Sequence, residues 1–258
     1  MAGAMRQLLG VLCLSAIAST GATAAVVAAD EGVDIAVVVS LDRSESISVE
    51  EATAQITGLI YTLEHPRFLN AVRSGRLGRL GLSVIAWSSF ARTEVLLPWI
   101  AIGGADDARR AAAVLAKDLE RDRKVTHGTQ TDVAMGISVA TEQMAKLPWP
   151  ADQRVINMVG DGISNIGRVA VVDRDVAVAS GITINALVTA QGTAIRILKE
   201  YFRREVIGGP TAFVQLTNGD EDFADAMLRK MLLEIALLNH ADRSGPWGSD
   251  RRVIGKVN

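Results

Sequence analysis

Soft-metal and thiol chemistry have almost nothing to work with in this chain: 258 residues contain one cysteine and three histidines. Cys13 lies inside the first apolar run, after Val11 and Leu12 rather than the small residues that a lipoprotein signal needs. Once that run is removed, the chain can form no disulfide, no Cys-ligated zinc and no Cys nucleophile. The histidines offer little more. His127 reads as an ordinary loop residue, His65 precedes a helix-stopping proline and His240 falls in a polar tail. An excess of charge is also lacking. A net charge of -2 and a pI near 6.0 leave no electrostatic footprint for nucleic acid or an anionic membrane surface. No Gly-x-Ser-x-Gly elbow, Walker loop, internal repeat or low-complexity segment is present.

What is present begins with an export signal. Met1 to Gln7 carries Arg6 and no acid, Leu8 to Ala18 is apolar, and small residues follow through Ala29. Cleavage after Ala24 fits the small-x-small rule, with Ala29 also allowed, so residues 1–24 are expected to be removed. An uncleaved anchor is the alternative, but the run is short for a spanning helix. The mature protein should then be periplasmic or secreted, with no stable membrane span.

Residues 33–239 read as one α/β domain. The run Val33 to Leu41 suits a central strand covered on both faces. Apolar residues at helical spacing predict a helix over Val49 to Glu64, stopped by His65-Pro66, and Arg67 to Arg79 reads as a solvated connection. Leu80 to Trp87 and Thr93 to Ile100 should pair antiparallel, with Pro98 marking an edge strand. A helix capped by Asp106 or Asp107 runs to about Leu119, and another begins at Val133. Val155 to Val159, Ile182 to Thr189 and Thr211 to Leu216 are strands, with a helix stopped by Gly181 between the first two and a helical pattern over Ile195 to Glu205 before the last. Phe223, Met227, Met231, Ile235 and Leu238 lie on one face of a final helix. This alternation predicts a doubly wound, mostly parallel sheet flanked by helices, with one antiparallel edge strand. Residues 240–258 read as a polar tail, expected to be disordered.

Three polar clusters fall where strands end or helices begin: Asp42-x-Ser44-x-Ser46, Gly128-Thr129-x-Thr131 and Gly160-Asp161-Gly162. Parallel topology brings them to one edge of the sheet, where open α/β folds bind ligands. Two carboxylates and several hydroxyls make a hard oxygen shell suited to Mg2+ or Mn2+, with Ca2+ a further option, rather than zinc. Each cluster alone has a plainer reading: Ser and Thr cap helices, and Asp-Gly makes turns.

Together the clusters resemble the metal-ion-dependent adhesion site (MIDAS) of von Willebrand factor type A (vWA) domains. Asp42, Ser44 and Ser46 match its first motif, Thr129 its threonine and Asp161 its last carboxylate, with Thr129 preferred to Thr131 because it follows the glycine. The segments Gly181 to Asn185, Tyr201-Phe202, Val206 to Pro210 and Lys230 to Ile235 look like an uncharacterised bacterial family of exported proteins within that superfamily. The resemblance implies a Rossmannoid three-layer sandwich and a metal held directly by Ser44 and Ser46 and largely through water by Asp42. It also implies that Thr129 and Asp161 exchange direct and indirect roles, and that a final helix, here Glu221 to Asn239, moves. The expected function is a non-enzymatic module that captures an Asp or Glu carboxylate of a partner protein. A Mg2+-dependent hydrolase acting on phosphoesters is the alternative.

Overall fold

The apolar run after Gly32 forms the middle of a six-stranded sheet. Strand β1 (Val33–Asp42) pairs in parallel with β2 (Leu80–Trp87) on one side and β4 (Ala151–Gly160) on the other. Beyond them lie β5 (Ile182–Thr189) and β6 (Val214–Thr217), both parallel, and β3 (Thr93–Ile102), antiparallel to β2, in the order β3-β2-β1-β4-β5-β6. The computed structural model describes residues 32–89, 93–120, 129–190, 192–217 and 222–244. The expected signal and His127 lie outside them.

Alternation along β1 sorts its side chains into two cores. Ile35, Val37, Val39 and Leu41 face a layer built by α1 (Val49–Glu64), α2 (Pro66–Arg73), α3 (Ala105–Leu119) and α7 (Phe223–Ser244). Ala36 and Val38 face α4 (Val133–Ala145), α5 (Ala170–Ala179) and α6 (Ala194–Tyr201). Both faces are covered, which is why β1 carries apolar residues, half of its positions being Val or Ile, on both of its sides. The expected three-layer sandwich is therefore present. At the β3 edge, Pro98 is exposed and lies in an irregularity of the β2–β3 register, where a missing N–H costs no ladder bond. Helix α1 meets α7 through Gly58, where a Cβ would stand 2.7 Å from the Phe223 ring.

Several local expectations need correction. Arg67 to Arg79 is not simply a solvated connection, because its first part is α2. Pro66 stops α1 but also starts α2, its missing N–H being harmless at N1, while His65 Nδ1 accepts from the Arg67 N–H at 3.1 Å. Phe68, Leu69 and Val72 bury the new helix against the core. Helix α3 is not capped from Asp106 or Asp107. It starts at Ala105 with both acids in its first turn, and Asp107 reaches back to the Gly103 N–H at 2.9 Å. The helical pattern after Ile195 widens from α6 into a π-helical turn over Phe202–Val206, and the last strand starts at Val214 rather than Thr211. Helix α7 continues to Ser244, so residues 240–244, expected in the tail, are helical.

Candidate metal centre

Strand β1 ends in a carboxylate that its own loop folds over. Asp42 is 1% exposed, and its Oδ1 accepts the Ser44 N–H at 2.8 Å, turning the chain back across the sheet edge. This turn aims the two serines along the edge. Ser44 Oγ lies 3.2 Å from Ser46 Oγ, and Ser46 Oγ donates to Asp161 Oδ1 at 2.9 Å. Four of the five expected residues, from two loops 115 positions apart in sequence, thus share one hydrogen-bonded chain. Ser48, next in line, caps α1 by accepting from Glu51 N–H at 3.0 Å.

Asp161 leaves β4 through Gly160, which lets the strand run close to β1. A Cβ on Gly160 would stand 3.3 Å from Asp42 Oδ2. The threonine loop abuts the same turn, since Thr131 Oγ1 lies 3.9 Å from where a Cβ on Gly162 would sit. Thr131 is buried, with its backbone N–H on Asn165 Oδ1 at 2.9 Å, whereas Thr129 is exposed. Neither threonine caps α4. Asp132 does, accepting from Met135 N–H at 3.0 Å, while Ser164 Oγ accepts from Val133 N–H at 2.9 Å. The plainer reading of those threonines as caps is thereby removed.

Sequence reasoning passed over Asp132, which caps α4, and Ser164 and Asn165, which tie the start of α4 and the threonine loop to the loop after Asp161. It also missed Ser88 and Ser89, just beyond β2 at the same edge. Both are fully buried, and their hydroxyls have no hydrogen-bond partner among the described residues. Asp132 was legible as a helix cap three residues before Met135. The others depend on contacts across the sheet edge that have no sequence signature.

The electrostatics of the edge are unfavourable as it stands. Burial pushes the Asp42 carboxyl up to about 7, with the nearby Asp161 charge adding to it against the Ser44 hydrogen bonds and Arg43. Asp161 is also raised, chiefly by burial and against its bond from Ser46. Arg43 turns toward α3, its Nη2 standing 3.5 Å from Asp118 Oδ2. Among the described residues no cluster of three or more His, Cys, Asp or Glu could hold a metal. A cation here must be held by two carboxylates with hydroxyl oxygens. That donor set fits a hard divalent ion, and its positive charge would offset the cost of the buried acids.

Residues 32–239 match the family described as "Protein of unknown function (DUF1194)". No curated protein matches the chain. Among solved structures it is similar to proximal thread matrix protein 1 from the mussel byssus with a zinc-occupied MIDAS motif, at 19% identity and TM-score 0.56, covering 80% of this chain and 48% of that one. It is also similar to the pilus adhesin SpaC from Lactobacillus rhamnosus GG (13% identity, TM-score 0.53, 79% and 30% covered). A third is a von Willebrand factor type A protein from Catenulispora acidiphila (12% identity, TM-score 0.51, 79% and 43% covered). The chain has the vWA fold, and it spans about half or less of these solved chains.

Proposed function

This chain belongs to the DUF1194 family, and we propose that it is a metal-dependent protein-binding module working outside the cytoplasm, with Asp42, Ser44, Ser46, Thr129 and Asp161 as its metal site. The observation that carries the reading is the hydrogen-bonded chain from Asp42 through Ser44 and Ser46 to Asp161. It gathers oxygen donors from two loops at the end of the sheet where α/β folds bind ligands. The zinc-occupied MIDAS motif of the mussel protein, on the same fold, supports a divalent metal.

A divalent cation held there would supply an electron-poor centre for a carboxylate oxygen of a partner. The protein's own residues set how that oxygen is met. Ser44 is buried, Ser46 and the half-buried Asp161 stand at the mouth, and Thr129 is exposed on the threonine loop. Neutral hydroxyls contribute donors without charge, so the cation would keep its appetite for an incoming acid. Mg2+ suits such a shell, and Mn2+ or Ca2+ could replace it.

The test is capture of proteins from the extracytoplasmic fraction by the purified chain in Mg2+, in chelator and with Asp42→Ala. A partner held only by the wild type in Mg2+ supports the proposal. Capture unaffected by chelator and substitution contradicts it, and phosphoester turnover lost in Asp161→Ala would favour a hydrolase.

A further inference from the structure

Within the sheet rather than at its edge, α7 presses a lysine into the interior. Lys230 is completely buried, against Asn157 of β4 (0% exposed) and Glu234 one turn along the same helix (3% exposed). Lys230 Nζ contacts Asn157 Oδ1 and lies 2.5 Å from Glu234 Oε1. Glu234 Oε2 in turn accepts from Asn157 Nδ2 at 2.9 Å. Amine, side-chain amide and carboxylate thus form a closed triangle.

Each vertex of that triangle suits a reaction between the other two. The amide carbon, Asn157 Cγ, is one C=O bond, about 1.2 Å, from the oxygen that Nζ already touches. Glu234 touches both the nitrogen that would attack and the nitrogen that would leave. Burial lowers the Lys230 pKa toward the neutral amine a nucleophile requires, with Glu234 opposing. The Phe213 ring, 5.3 Å from Nζ, covers the site. Asn185 also meets Glu234, donating from Nδ2 at 2.8 Å, but its Oδ1 is taken by the Phe213 N–H at 3.0 Å. Asn157 is therefore the acceptor.

We propose that Lys230 and Asn157 join through an intramolecular isopeptide bond, with Glu234 as the catalytic proton carrier. Nζ gives one proton to Glu234 and attacks Cγ, and the carbonyl electrons move to Oδ1. Glu234 passes that proton to the amide nitrogen and takes a second from Nζ. The Cγ–Nδ2 bond then breaks, the carbonyl re-forms and ammonia leaves. No oxidant or cofactor is consumed, and the product is a neutral amide linking β4 to α7 across 73 positions of sequence.

Intact mass spectrometry of the folded full chain, referred to its measured N-terminus, tests this. The wild type should be lighter than its sequence by one molecule of ammonia, and digestion should yield one branched peptide containing Asn157 and Lys230. Lys230→Arg and Glu234→Gln should keep the full mass. A folded wild type of full mass with separate linear peptides overturns the proposal, leaving a hydrogen-bonded cluster only. A link that still forms in Glu234→Gln overturns the role given to Glu234.

Discussion

Two groups of polar residues lie on this sheet, one at its edge and one beneath α7, and they solve opposite problems. At the edge, Asp42 and Asp161 bring two acids together with hydroxyls and open toward solvent at Ser46. Under α7, Lys230, Glu234, Asn157 and Asn185 meet donor for acceptor in a sealed interior. An acid cluster near which Arg43 turns toward Asp118 calls for a cation from outside. A cluster whose charges are already matched has no use for a ligand, and its reactivity can only turn inward. Burial alone therefore does not identify a binding site; the balance of donors, acceptors and charge does.

The sealed cluster should be the more costly to break. Lys230→Met removes both the proposed link to Asn157 and the partner of Glu234, leaving two polar side chains buried, and roughly 3–5 kcal/mol of stability should be lost in denaturant unfolding. A loss under about 1 kcal/mol would mean the cluster is better solvated than its burial implies.

A pH series on metal-free protein separates the regions next. Asp42 is held at about 7 in the fold against an ordinary 3.8. Its protonated form stabilises the fold fully below about pH 4, and that contribution fades as pH rises through 7, by up to a few kcal/mol. Thermal unfolding of metal-free protein should therefore shift down over that interval. Asp42→Asn should flatten the slope.

Smaller effects follow at the mouth of the edge site. Asp161→Ala should weaken Mg2+ binding by about tenfold or more, equivalent to about 1.4 kcal/mol, without lowering metal-free stability. Ser46→Ala removes one exposed hydroxyl, so stability should change by less than about 0.5 kcal/mol while Mg2+ affinity falls less than in Asp161→Ala. Equal losses in the two variants would show that the carboxylate contributes no more than the hydroxyl.

Much of the frame was legible because it rests on period and punctuation. The run Val33 to Leu41 announces a doubly covered strand, Gly181 takes a φ of +78 just past α5, and Pro98 marks the edge. The Arg67 to Arg79 stretch misled because its charges hide Phe68, Leu69 and Val72, three apolar residues spaced for a single short helix. At the site, Asp42, Ser44, Ser46 and Asp161 could be read from local spacing at strand ends. The choice between Thr129 and Thr131 could not, since it depends on the cap being Asp132 and on which threonine the loop buries. The Lys230 cluster was invisible. Asn157 and Asn185 lie within strand runs, and nothing local pairs them with a helix more than 40 positions away.

Whether the edge carboxylates hold a hard divalent cation is answered by calorimetric titration of Mg2+ into chelator-treated full-length protein. Saturable binding of a single ion per chain at millimolar concentration or below, absent in Asp42→Ala, is the predicted result. No heat at millimolar Mg2+ or Mn2+, or the same isotherm in Asp42→Ala, would contradict it.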